Sequence, residues 1–297
     1  MPEPRAQPRL YTIPPSAPFL TTLARAILAG ELPKPGNARP SQLDLPNTTI
    51  WLPTRRAART LREAFLKESG GKALLLPRIQ TWADIDEDVA LILDADRYAG
   101  PDGNPGVAAI EPMARLIALT RMIQAWARGA GAAGPAGLEG PLPMTPAQAA
   151  SLASDLATLM DNAQSEEVDL NTLGNLVPEE LAAHWAETVD FLSIVTEQWP
   201  TYLEGSGLVS PVERRNLLMA LETERLAGGS PHPVIAAGST GTVPATARLL
   251  EAISHLPNGA VVLPGLDLFL DDESWETLRH HPEHPQAGMA ELLRKLG

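Results

Sequence analysis

The chain has 297 residues, 44% hydrophobic but only 4% aromatic, so it can bury a sizeable core of Leu, Ala, Ile and Val in one or two domains. It contains no cysteine, which excludes disulfides, thiolate zinc sites, iron–sulfur clusters and a cysteine nucleophile, and agrees with a reducing compartment. The net charge of −13 is unevenly spread: residues 1–80 hold 12 of the 23 Lys and Arg but 5 of the 36 Asp and Glu, a local balance of +7, leaving −20 on the remainder. That asymmetry argues for a basic working face on one part of an acidic body, against the plainer alternative of a chance excess of arginine. No run of about 18 apolar residues occurs, and the start, MPEPRAQPRLYTIPP, lacks the apolar core of a secretion signal. The expectation is a cytoplasmic protein with no membrane partner.

Taken in chain order, Leu10-Tyr11-Thr12-Ile13 predicts a short strand, the prolines at 14, 15 and 18 a loop, and Phe19 to Leu28 a helix ended by Gly30. Residues 31–47, rich in Pro, Gly and Asn, read as an exposed connector. Thr48 to Leu52 predicts a second strand stopped by Pro53, and Thr54 is placed to cap a helix from Arg55 to Lys67. Ala73 to Leu76 predicts a third strand ending at Pro77. Strands separated by helices at this spacing imply a parallel sheet with crossover helices.

The middle changes character. Glu111 to Arg128 predicts a helix with an apolar stripe of Met113, Leu116, Ile117, Thr120 and Ile123, followed by a Gly/Ala/Pro linker over residues 129–143. Further helices are predicted over Thr145 to Ala163, Pro178 to Leu203 and Ser210 to Leu226, the last opened by a capping box at Ser210-Pro211-Val212-Glu213. The block reads as all helical and acidic on its outer faces. Strand–helix alternation then returns: Pro233 to Ala237 as a buried strand, a Gly238 to Thr242 turn, a helix from Val243 to His255, a strand from Ala260 to Leu263, and helices near Asp272 to Leu278 and Pro285 to Leu296. The organisation expected is therefore an α/β domain over residues 1–105, a helical insertion over 106–230, and a return to the α/β domain over 231–297.

Three stretches sit where strands give way to helices. A phosphate-cradling loop needs glycines, a lysine and a Ser/Thr hydroxyl. The loop Pro14-Pro15-Ser16-Ala17-Pro18 has neither glycine nor lysine, and its prolines have no N–H, so it reads as a degenerate nucleotide loop. Thr54, Arg55, Arg56, Arg59 and Arg62 place a hydroxyl and four guanidinium groups on one helix, two of them at its amino end, where phosphate oxygens are favoured. An ordinary amphipathic helix with solvated arginines fits the same pattern. Ser239, Thr240 and Thr242, in the turn GSTGT, offer backbone N–H groups and hydroxyls to an anion, or form a generic glycine turn. The histidines at 280, 281 and 284 fit no standard metal spacing, Asp271-Asp272-Glu273 reads as helix capping, and no G-x-S-x-G elbow exists. No catalytic or metal residue is expected.

YTIPPSAPFLTTLARAIL, TIWLPTRRAARTLREAFL with LLLPRI after it, PVIAAGSTGTVPATARLLEAISHLPNGAVVLPGLD and the ending HPEHPQAGMAELLRKLG together resemble the amino-terminal region of AddB in its alphaproteobacterial form. AddB is a subunit of the AddAB helicase–nuclease. The resemblance covers essentially the whole chain, strongest in both α/β parts and weak in the helical middle. The PTRRAA stretch falls where superfamily 1 helicases carry their second DNA-contacting motif (Ia). The resemblance implies a P-loop NTPase-like parallel sheet (helicase 1A-like) interrupted by a 1B-like helical insertion, whose motor function has decayed while the AddA subunit drives translocation. It further implies DNA guidance in double-strand break repair, with the iron–sulfur cluster and Mg of the family confined to a carboxyl-terminal nuclease domain that this chain lacks. No cofactor and no catalysis are expected of this chain by itself. The alternative function is a protein-interaction module that docks AddA through the acidic insertion without touching DNA.

Overall fold

Short apolar runs bounded by proline and glycine can form only short strands, and here helices carry the chain between them. In the computed structural model the described residues are 7–34, 40–41, 43–82, 85, 108–130, 144–175 and 190–296. They form, in order, β1 (Leu10–Ile13), α1 (Phe19–Ala29), β2 (Thr49–Leu52), α2 (Arg55–Glu68), β3 (Arg78–Thr81), β4 (Ala108–Ala109), α3 (Pro112–Ala130) and α4 (Pro146–Ser165). There follow α5 (Trp199–Ser206), β5 (Leu208–Val209), α6 (Pro211–Ala227), β6 (Val234–Ala237), α7 (Pro244–His255), β7 (Gly259–Pro264), α8 (Asp272–Leu278) and α9 (Ala287–Leu296). The chain divides into two compact units, one made of Met1–Ala95 with Leu217–Gly297, the other of Asp96–Asn216.

The first unit is α/β, built on a five-stranded sheet of order β1-β7-β6-β2-β3 in which every pairing is parallel. Ile50 lies opposite Ile235, so the strands from either end of the sequence belong to one sheet. Alternate residues Ile50, Leu52, Ile79, Ile235, Ala237, Ala260 and Val262 join Leu23, Ile27, Leu61 and Phe65 of α1 and α2 in one buried cluster. Parallel crossovers are right-handed. Helices α1 and α2 lead toward β3 and share that face, whereas α7 leads back from β6 to β7 and packs on the other. On that second face Trp51 stacks on Trp82, with ring centroids 5.1 Å apart.

Two expectations for this unit need correction. The third strand is Arg78–Thr81 and not Ala73 to Leu76. Pro77 has no N–H for a ladder, whereas the Arg78 N–H donates to the Thr48 carbonyl at 2.9 Å and starts the pairing beyond it. Leu75 and Leu76 are consequently left exposed. The connector expected to be exposed over 31–47 also contributes to the core: Leu32 and Leu45 are buried in the α1–α2 cluster.

The second unit has its own core, formed by Leu119 and Ile123 of α3, Ala149, Ala153, Leu156 and Met160 of α4, and Ile194 and Trp199. The small side chains of Ala149 and Ala153, both fully buried, let α3 approach α4 closely. Thr145 opens α4 with a capping box completed by Gln148. Buried Arg115 donates to Asp161 at 2.8 Å and to the Ala157 carbonyl at 3.2 Å, and its guanidinium lies 6.0 Å from the Trp199 ring centre.

Here the apolar stripe read for α3 is displaced in part. Of that stripe Ile123 is fully buried and Leu116 packs on the core, whereas Met113 and Ile117 are 65% and 45% exposed and Arg115 and Leu119 are buried instead. The block is also not all helical: β4 and β5 form a parallel pair, Ala108 opposite Leu208. Of the linker over 129–143, Gly129 and Ala130 end α3 and residues 131–143 lie outside the described residues. Of the helix expected from Pro178 to Leu203, residues 178–189 are likewise outside them. The remainder includes a π-helical turn at Ile194–Gln198 before α5.

Candidate nucleic-acid interface

In a parallel sheet, ligands bind at the carboxyl edge where neighbouring strands send their helices to opposite faces. Here β2 and β6 are such neighbours, since β2 runs into α2 and β6 into α7. The loops that follow them hold two of the stretches singled out above, Thr54 to Arg62 and Ser239 to Thr242.

The strand β2 stops at Pro53, and Thr54, in extended backbone, caps α2 by accepting the Ala57 N–H at 3.1 Å. Ala58, Leu61, Ala64 and Phe65 bury one side of the helix. That orientation leaves Thr54, Arg55, Arg56, Arg59 and Arg62 exposed, and the spacing of Arg55, Arg59 and Arg62 aligns them in one row. The first turn of α2 contains no acidic residue and two arginines. Helix dipoles favour carboxylates at that end and disfavour cations by about 0.3–1 kcal/mol each, so the local arrangement costs helix stability and concentrates positive potential.

The loop after β6 turns sharply at Gly238 and Gly241, with φ of 80° and 66°. The Gly238 N–H donates to the Val262 carbonyl at 2.9 Å. A Cβ at Gly238 would lie 3.3 Å from the Phe19 ring and 3.6 Å from Pro53, so the first residue of α1 and the ends of β2 and β6 converge there. Ser239 and Thr240 are half-buried and Thr242 is exposed. The Ser239 hydroxyl accepts the Gly241 N–H at 3.2 Å, and a Cβ on Gly288, in α9, would meet Thr242 at 2.4 Å and Thr240 at 3.9 Å. The hydroxyl-bearing residues of this turn are thus packed beside α9.

The third stretch, Pro14 to Pro18, is a turn closed on itself, the Ala17 N–H donating to the Pro14 carbonyl at 3.0 Å. With three prolines and Ala17 engaged, Ser16 is the loop residue left with an N–H to offer. Pro15 packs against Gly265, whose N–H donates to the Ile13 carbonyl. Pro18 caps α1 without a side-chain acceptor. Phe19, not singled out from the sequence, is the residue that joins this loop to the β2 and β6 loops. Its signal was an aromatic as the first residue of a helix, in a chain with only four phenylalanines.

The other motifs resolve simply. Asp271 caps α8, accepting the Ser274 N–H at 2.8 Å, and hydrogen bonding from the Ser274 side chain, then from its N–H, holds the carboxyl below the usual range. His281 pairs with Glu283 at 3.0 Å on an exposed segment. Among the described residues there is no cluster able to hold a metal ion, and no helix long and apolar enough to cross a membrane. No protein-family model and no curated protein matches the chain.

Proposed function

We propose that the first unit is a helicase-type α/β module, AddB-like, that contacts the DNA backbone through α2 and does not hydrolyse nucleotide. The observation that carries this reading is the pair of exposed arginines in the first turn of α2, beside a glycine turn at the switch point of a parallel sheet. Both the helix dipole and the guanidinium groups attract a phosphate there. The proline-closed turn after β1 supports a module without a triphosphate cradle, since it cannot supply the ring of N–H donors that such a cradle needs. In this reading the protein guides DNA during double-strand break repair, and the AddA motor subunit is its partner.

The test is binding of a forked oligonucleotide across a salt series. Each phosphate contact on a single strand contributes about −0.7 to the slope of log K against log salt. Replacing Arg55, Arg56 and Arg59 with alanine is expected to flatten the slope by roughly 2 and to weaken binding at low salt at least tenfold. An unchanged slope would mean that the contact face lies elsewhere.

A further inference from the structure

The second unit contains a cavity of about 510 Å³ that plays no part in the reading above. Its apolar lining includes Met160, Val195, Leu203 and Leu208, and the π-helical turn contributes Val195 and Thr196. Such turns are rare and recur at functional sites. Trp199 also lines the cavity; it is 2% exposed, and its buried indole N–H has no hydrogen-bond acceptor among the described residues.

The charged residues among the described lining share one sign. Asp169, Glu204 and Glu213 line it, all three are exposed, and among the described lining residues there is no Lys or Arg. An anionic or phosphate-bearing ligand is therefore repelled, and a nucleic acid with it. The volume exceeds that of one side chain and suits an apolar anchor together with the backbone that carries it.

We infer that this cavity docks an apolar side chain presented on a basic segment of a partner protein. Leucine-type anchors fill the floor between Met160 and Leu203, and flanking lysines or arginines meet the three carboxylates. The carboxylates lie at the surface, so they steer the approach and set its salt dependence, while the anchor supplies the affinity.

The test follows the Trp199 indole signal by ¹H–¹⁵N NMR in the full chain. The probe is a short blocked peptide with leucines spaced along one helical face and lysines between them. A saturable shift of that signal is expected, lost when serine replaces the leucines. Glu204→Lys and Val168→Asn both alter exposed residues of the cavity lining, so folding is retained, which far-ultraviolet circular dichroism checks. Each is expected to weaken the peptide roughly tenfold. A flat titration overturns the inference. So does a serine peptide or free spermidine that shifts the signal equally, because either would mean that cationic charge alone is recognised. None of these outcomes depends on whether α2 binds DNA.

Discussion

At the scale of single residues, close approach of backbones sets the sharpest constraints. Gly259 opens β7 directly behind the end of α7, and a Cβ there would lie 1.9 Å from the Ile253 carbonyl oxygen and 2.8 Å from the Leu256 Cβ. Main chain cannot swing aside as a side chain does, so Gly259→Ala is expected to cost about 2–4 kcal/mol, read as a lower urea midpoint with unchanged slope. Glu291 shows the opposite kind of constraint. Its hydrogen bond and charge pairing with Arg294, followed by Arg279 and Lys295, hold its carboxyl at about 2, against an ordinary 4.5. The folded-state value is depressed, so this contribution is complete above about pH 4.5 and disappears as the pH falls through about 2. Because the side chain is 39% exposed, screening by water keeps the contribution under about 1 kcal/mol. An NMR titration of Glu291 is expected to give a midpoint well below its neighbours', moving upward in Arg294→Ala.

At the scale of elements, α2 sets stability against recognition. Arg56→Glu places a carboxylate where the dipole favours one, and is expected to stabilise the chain by about 0.5 kcal/mol while weakening DNA binding. A variant both less stable and a weaker binder would mean that Arg56 has a structural partner instead. Thr54→Ala removes the cap and is expected to cost about 1 kcal/mol, with Thr54→Ser retaining most of it in thermal unfolding. Legibility followed the same local logic. β1, α1, β2, α2, β6, α7, β7 and α8 could be located to within about two residues, because apolar runs bounded by Pro, Gly or a capping Thr or Asp are local signals. β3 was missed because Gln80 and Thr81 are polar yet buried. The face of α3 was legible only in part, because a buried Arg115 looks like a surface residue until Asp161, 46 positions on, is brought beside it. For the candidate interface, the stretches were visible in the sequence, but their meeting through Phe19, Pro53 and Gly238 is a property of strand order.

At the scale of the whole molecule, the two compact units, each with a buried cluster of its own among the described residues, imply two cooperative blocks. Leu61 and Leu119 are each fully buried, one in each core. Truncating either to alanine is expected to cost about 2–5 kcal/mol, and calorimetry should then report a different transition shifted in each variant. A single transition displaced equally by both would merge the blocks. The sheet order carries a further consequence for biosynthesis. Leu10 finds its ladder partner in Val261, so β1 leaves the ribosome well before the strand it pairs with. At about 5–20 residues per second that delay is roughly 13–50 s. During it β1 has no ladder to join, and the whole of the interrupting unit is translated. Assembly of this sheet is therefore paced by translation, and the intervening unit can fold before the sheet that encloses it in sequence is closed.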